Sequence, residues 1–339
     1  MSKIICVGSA CKDIFMPTNE GEVIETPEDL TSQRKISFEL GAKYAIKERF
    51  ETLGGCAANV ASGMAKLGVD SECVAQVGND VNGIWIREEL RKSGAGLEMM
   101  QIKEGDKSDL SAIIVDEASA DRTIFSNKCS SGKLEYDKEK MKEADWIFIG
   151  DIHGEWEENL EEIIQLAKDD GKRVAFNPRE KNIHENAAEI IQAITFAEIV
   201  FVNKDEAIEI VKAMGENFSD ADLNNEEFLV KELKSLEPKV VALTNGKNGA
   251  WVLEEGGKML FAKGISVSAV DSTGAGDSFL SGFLAAYIKE KDLTECLKWG
   301  IALSASVVQH YGGIEGLLSE DELLKKTEEV EVKEIMAEQ

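Results

Sequence analysis

Asp271-Ser272-Thr273-Gly274-Ala275-Gly276-Asp277 runs straight into Ser278-Phe279-Leu280-Ser281-Gly282-Phe283-Leu284-Ala285-Ala286-Tyr287, a small-residue turn that opens an apolar helix. The first N–H groups of a helix have no partner inside it, and the helix dipole is positive at that end, so this junction suits anions. Gly274, Ala275 and Gly276 leave room for a phosphate to approach those N–H groups. Asp277 is out of place there, because a carboxylate repels an anionic ligand. Two readings are open: Asp277 caps the helix, a position Asp favours, or it is a base that takes a proton from the group attacking the phosphate.

Outward from that junction, short β-branched runs alternate with amphipathic stretches. Strands are expected at 4–8, 73–77, 146–149, 173–177, 199–203 and 240–244, and helices at 57–67, 84–93, 160–169, 187–193 and 226–235. Such alternation predicts an α/β fold, a mostly parallel sheet covered by helices on both faces. Gly68, Gly94 and Gly171 close helices. Two regions break the rhythm: 22–26, 35–38 and 47–51, and then 111–115 and 122–125, alternate in the period of half-exposed strands. They predict a small extra sheet, either a lid over a ligand site or a surface decoration. The expected division is a core of 1–14, 54–107 and 126–318, a β lid of 15–53 and 108–125, and a peripheral, helical C-terminal tail of 319–339.

Of 339 residues, 43% are hydrophobic and 30% charged, the balance of a globular protein. No apolar run approaches the roughly 20 residues that span a bilayer, and the apolar part of the N-terminus is too short for a signal peptide. A cytoplasmic protein is expected. Cys6, Cys11, Cys56, Cys73, Cys129 and Cys296 show no metal-ligand spacing, and three scattered histidines do not add one. With 64 acidic against 38 basic residues, the net charge is −26. That field repels nucleic acid and anionic membranes, so neither is an expected partner. A polyanionic small molecule has to be met locally, by backbone dipoles, a metal ion or a few basic side chains. Adaptation to a saline habitat is a second source of the acidity, against which the many lysines speak.

A second motif is Gly54-Gly55-Cys56-Ala57-Ala58-Asn59-Val60-Ala61. Paired glycines allow a ligand close to the backbone, and Asn59, in the first turn of the following helix, offers both a donor and an acceptor. Alone, this is an ordinary helix start. Together with Asp271–Asp277 it resembles the two signatures of the ribokinase-like (PfkB) carbohydrate kinases. Gly54-Gly55, Asn59, Gly68 and Gly78 have the spacing of the first signature, and Asp271-Ser272-Thr273-Gly274-Ala275-Gly276-Asp277 is similar to the second. Gly8-Ser9 with Asp13, Gly78–Gly83, Asn177-Pro178-Arg179, Asn203-Lys204-Asp205-Glu206, and Thr244-Asn245-Gly246 with Gly249 follow the family's order over about residues 3–318.

The resemblance implies a three-layer α/β/α core with a small β-sheet lid, which in relatives often also forms a dimer interface. It implies an enzyme that moves the γ-phosphoryl of ATP to a primary alcohol. Asp277 would be the general base, and the N–H groups of Gly274, Ala275, Gly276 and Asp277 the anion hole. Asp13, Gly54, Gly55 and Asn59 would take the acceptor's hydroxyls, and Arg122 would reach the substrate from the lid. Asn203 and Glu206 would hold the water shell of Mg²⁺, with Thr244, Gly246 and Gly249 along the adenine and ribose. Asp271 and Thr273 match positions that supply oxygens to a monovalent cation such as K⁺. Arg179 would belong either to the phosphate surroundings or to a local ion pair. Cys11 and Cys56 stand where ribose-type members usually have Asn and Lys, which speaks against ribose itself. Phe38, Tyr44 and Phe50 would suit a nucleoside base, so a nucleoside kinase is the alternative. A silent binding protein of the same fold is another, and a dehydrogenase is disfavoured because no Gly-x-Gly-x-x-Gly follows the first strand.

Overall fold

In the computed structural model, which describes residues 2–28, 34–129, 134–215 and 217–335, β1 (Lys3–Val7) sends Ile4 and Cys6 to one face of a sheet and Ile5 and Val7 to the other. All four are fully buried. The parts of the expected core, lid and tail at 1, 29–33, 130–133, 216 and 336–339 lie outside the described residues.

The same two-faced apolar pattern recurs in β6 (Asp70–Val74), β11 (Trp146–Ile149), β12 (Arg173–Phe176), β13 (Ile199–Asn203) and β14 (Val240–Thr244). These strands pair in parallel in the order β6-β1-β11-β12-β13-β14. Beyond β14 the sheet turns antiparallel through β15 (Ala250–Glu254), β16 (Met259–Ala262) and β17 (Val332–Ile335). One face is covered by α1 (Cys56–Lys66), α2 (Val81–Ser93), α9 (Ala275–Ile288) and α10 (Leu293–Val307). The other carries α4 (Trp156–Asp169), α5 (Glu180–Phe196), α6 (Lys204–Ala213) and α8 (Glu226–Lys234), with the single turns α3 (Lys138–Met141) and α7 (Asp220–Leu223) at its margin. This is the three-layer α/β/α arrangement expected, with the mostly parallel sheet at its centre.

The expected small sheet is also present, with shifted edges. Its strands β2 (Cys11–Thr18), β5 (Phe50–Gly54), β9 (Leu110–Asp116) and β10 (Arg122–Asn127) lie in the order β10-β9-β2-β5. β3 (Glu22–Glu25) and β4 (Arg34–Ser37) form a separate two-stranded ribbon, and β7 (Gln76–Gly78) pairs with β8 (Gln101–Lys103). The small sheet therefore begins at Cys11, inside what the sequence reading placed in the core, so Asp13 stands on a sheet strand and not in a loop after β1. Residues 47–49 are not strand, and the pairing starts at Phe50. Phe15, Ile113 and Val115 form a satellite core under this sheet, closed by Phe50 and Tyr311. The Phe50 ring stacks on Tyr311 with centroids 4.4 Å apart, so one face of Phe50 is engaged in the fold.

The tail departs from its expected peripheral position. Leu323 of α11 (Glu320–Thr327) is fully buried in the helical layer, and β17 forms the edge of the main sheet through pairs such as Met259↔Ile335. The charged composition hid a strand whose contribution is mostly backbone hydrogen bonds. Among the described residues no helix is long and apolar enough to cross a membrane, and all six cysteines are free thiols.

Candidate active site

The parallel strands end together, and the residues that follow them meet the start of α9. Gly274, the α9 N-cap, has left-handed backbone (φ 72°, ψ 2°), and a Cβ there would lie 2.3 Å from the Gly313 Cα. A side chain is excluded on both counts. A Cβ at Gly276 would meet nothing within 4 Å, so the space above the first turn is open. Those N–H groups face a cleft of about 550 Å³ lined by Gly274–Asp277, Asn203, Glu206, Thr244 and Gly246. The cradle fits a phosphate chain: it is empty above Gly276 and presents helix N–H donors.

Asp277 sits in the first turn of α9, and its Oδ2 accepts a 2.8 Å hydrogen bond from Asn59 Nδ2 on α1. Burial pushes its carboxyl up to about 6, with the charges of Asp151 and Asp13 adding to the shift and the bonds from Asn59 and the Cys56 thiol opposing it. Asn59 was expected to serve the acceptor only. Here its amide orients Asp277, while its buried Oδ1 is left without a partner.

Asp13, 5% exposed, is fixed by the Cys11 thiol, 3.2 Å from its Oδ1. Burial raises its carboxyl above the ordinary value. A Cβ at Gly54 would fall 1.9 Å from Asp13 Oδ2, so the first glycine of the pair is required by the carboxylate lying on it. Gly55 caps α1 and leads directly to Asn59. The structure thus brings Asp13, Gly54, Gly55, Asn59 and Asp277 into one neighbourhood.

Asn203 and Glu206 form a reciprocal capping box at the start of α6: Asn203 Oδ1 accepts from the Glu206 N–H and Glu206 Oε2 from the Asn203 N–H, both at 2.9 Å. Both still line the cleft. Burial raises the Glu206 carboxyl to about 8, helped by Glu180, Asp277 and Asp205, against the Asn203 hydrogen bond. Gly249 is not among the cleft-lining residues. It closes the β14–β15 turn, with φ 115° and a Cβ position 2.1 Å from the Ala262 carbonyl oxygen.

Asp271 is fully buried, with Oδ1 accepting from the Thr273 N–H (3.0 Å) and hydroxyl (2.8 Å) and Oδ2 from the Gly312 N–H (3.1 Å). These bonds lock the turn before α9 to the Tyr311–Gly313 loop. Arg122, on the outer strand β10, reaches over the turn, where its Nη1 donates to Ser272 Oγ at 2.6 Å and its guanidinium lines the cleft.

Sequence reasoning missed Asp151, His153 and Lys128. Ser9 donates to Asp151 through its N–H (3.0 Å) and hydroxyl (2.5 Å), His153 Nε2 lies 3.4 Å away, and Arg179 Nη1 is 2.7 Å from His153 Nδ1. Burial works against the charge on Asp151, but His153, Lys128 and Ser9 together hold its carboxyl well below the usual range. The available signal was position: Asp151 follows the end of β11, and in parallel sheets ligands gather beyond the strands' carboxyl ends.

Comparison with known proteins agrees with this architecture. The model of the pfkB family carbohydrate kinases matches residues 1–320. The chain is 26% identical over 273 residues to the ATP-dependent ribose-1-phosphate kinase of Halopiger xanaduensis, covering 79% of this chain and 84% of that one. It is 28% identical over 272 residues to a nucleoside kinase of Methanothermobacter thermautotrophicus, covering 79% and 82%. The ribokinase of Cryptococcus neoformans, solved in complex with ADP, shares the fold with a TM-score of 0.77 at 18% identity, over 96% of this chain and 100% of that one. The chain belongs to the pfkB family of carbohydrate kinases, and it is an enzyme of the kinase class.

Proposed function

We propose that this kinase transfers the γ-phosphoryl group of ATP to a primary hydroxyl of a sugar or sugar-like acceptor. The observation that carries the reading is Asp277: a carboxylate held by Asn59 at the lip of an open helix N-terminus, with its proton affinity lifted toward neutrality by burial. Asp13, Gly54, Gly55 and Asn59 orient the acceptor. Asp277 takes the hydroxyl proton as the acceptor oxygen attacks phosphorus and the bond to the leaving ADP oxygen breaks. The N–H groups of Gly274–Asp277 stabilise charge on the transferring group, which is the main demand of phosphoryl transfer. Arg122 approaches the same space from the small sheet and adds a positive charge.

Among the described residues no three His, Cys, Asp or Glu side chains converge on one point. Mg²⁺ would therefore be held mainly by the nucleotide's phosphates and water, with Glu206, one of the acidic side chains that line the cleft, beside that water shell. Bound there, it neutralises phosphate charge. Thr244 and Gly246 flank the nucleotide side of the cleft. Two named relatives act on a phosphorylated sugar and on nucleosides, and both acceptor classes fit a primary alcohol. The exposed apolar side chains of the small sheet and its ribbon, Ile24, Ile124 and Phe125 among them, support a homodimer formed through that sheet.

The test is acceptor-dependent ADP formation across pentoses, hexoses, sugar phosphates, sugar acids and nucleosides. Asp277→Asn should lower kcat by about 10³-fold or more while nucleotide binding survives. Unchanged turnover in that variant would remove Asp277 from the mechanism.

A further inference from the structure

Beside the nucleotide half of the cleft, three segments that are distant in the chain meet on one carboxylate oxygen. β13 and β14 run in parallel to a last register pair, Asn203↔Thr244, and then part. The residues that follow, Lys204 and Asn245, both line the cleft, but the first opens α6 and the second caps a single 3₁₀ turn, Gly246–Asn248. Glu226, the first residue of α8, bridges them. Its Oε1 accepts from Lys204 Nζ at 2.9 Å and from Asn245 Nδ2 at 2.7 Å. Lys204 Nζ also donates to the Asn224 carbonyl at 2.9 Å. The proton transfer at Asp277 uses none of these side chains.

A fully exposed ion pair would call for no further reading, since such pairs contribute little. This one is sheltered: the Lys204 and Glu226 side chains are each 19% exposed. Burial works against the charge on Glu226, yet the bonds from Lys204, its own N–H and Asn245 hold its carboxyl below the ordinary value. The backbone of Asn245 is committed to its turn, its N–H donating to the Gly249 carbonyl and its carbonyl accepting from the Asn248 N–H, both at 2.9 Å. Its side chain therefore carries the turn as a unit, and Glu226 sets where that unit sits against α6. Charge gives a second argument. Asp205, Glu206 and Asp277 already line this cleft, so one more carboxylate beside it repels a polyphosphate. What Glu226 supplies against that repulsion is geometry: one atom fixes two turns that face the same ligand.

Resting on the kinase reading above, we propose that Glu226 is a positioning residue for the phosphate donor: by holding Lys204 and Asn245 it sets the spacing of the Asn203–Glu206 and Thr244–Gly246 turns, and with it the affinity for the nucleotide. Glu226 itself touches no reacting atom. Among the described residues Lys204 donates two hydrogen bonds, and an ammonium has three to give, which leaves one for a phosphate oxygen while the carboxylate keeps its hold. Asp13 and Asn59 stand on β2 and α1, which this bridge does not touch, so acceptor binding is independent of it.

The experiment is calorimetric titration of the full-length chain with ADP in the absence of acceptor, followed by steady-state kinetics with ATP and an acceptor that supports turnover. Glu226→Ala should weaken ADP about tenfold and raise KM for ATP to match, while KM for the acceptor moves by less than about twofold. Glu226→Gln keeps an oxygen that accepts from both donors and should keep most of the affinity. Asn245→Ala should lose about as much as Glu226→Ala, and the double variant should be weaker than either by no more than about twofold, because the two side chains act through one bond. Unchanged or tighter ADP binding by Glu226→Ala, the result of removing a repelling charge alone, overturns the proposal and leaves the kinase reading intact. Equal losses for ATP and acceptor, the mark of a general loosening, overturn it as well. Asn245→Ala decides in the same way where Glu226→Ala fails to fold, and calorimetry decides even where no tested acceptor is phosphorylated. A wild-type chain that binds no ADP sinks the kinase reading and this role of Glu226 together.

Discussion

At the residue scale, the behaviour of Asp277 follows from where its carboxylate is kept. Burial raises it to about 6 from an ordinary 3.8, so in the folded enzyme the base form is lost as pH falls through about 6. The acid limb of kcat/KM should therefore break near pH 6, falling about tenfold per unit below it. A limb breaking near 4 would show that the carboxylate is solvated as in a free aspartate. The same shift bears on stability. The folded chain keeps this proton up to about pH 6 and the unfolded chain only to about 3.8, so stability falls between those values and the penalty is complete above them. Asp277→Asn removes a penalty of about 2–3 kcal/mol. It should raise the melting temperature at pH 7–8 by a few degrees, with the gain vanishing toward pH 4. The sequence placed Asp277 at a helix start, and the resemblance implied a general base there; Asn59, which holds its carboxylate, is 218 positions away in the chain.

At the element scale, the site depends on how α1 and α9 cross. A Cβ on Gly63 would lie 2.5 Å from Ser281 Oγ, and that hydroxyl donates to the Asp277 carbonyl. Gly63 lets the two helices approach one turn beyond Asn59 and Asp277, so the contact is an intimate one that a larger residue must open. Gly63→Val should cost about 1–3 kcal/mol of stability and, by displacing Asp277, about 10²-fold in kcat. Ser281→Gly in the same chain should return much of both, which thermal melts and steady-state kinetics can check. A Gly63→Val enzyme with full activity would mean that α9 is positioned by its other contacts. The alternating strands and amphipathic helices on either side of this crossing were legible because periodicity is local. β2 was not, because Asp13 and Pro17 interrupt an otherwise alternating strand, and the edge strand β17, Val332-Lys333-Glu334-Ile335, went unmarked because half of it is charged.

At the scale of the whole molecule, the small sheet joins the acceptor side to an outer apolar surface. Val23, Ile24, Phe38, Tyr44, Ile46, Ile124 and Phe125 are all at least 38% exposed, which is costly in water unless another surface covers them. If a second copy does so, the wild-type chain sediments as a dimer and Phe125→Asp as a monomer. A wild-type monomer at micromolar concentration would reject that arrangement. Because Arg122 and Phe125 share β10, the monomeric variant should also show a raised KM.

The sequence by itself determined the layered α/β class, the place of Asp277 at a helix start, and the need for an acidic chain to meet phosphate with local dipoles. Each of these rests on patterns within a few turns of chain. Only the tertiary structure decided that Asn59 positions Asp277, that Asp271 locks a loop, that Asn203 and Glu206 cap each other, and that Arg179 sits beside His153. These are pairings between distant segments, and charge compensation depends on which side chains meet. The opening stretch, 271–277, carries the open helix start in its own residues, but the raised proton affinity of its aspartate comes from the burial that the rest of the chain supplies.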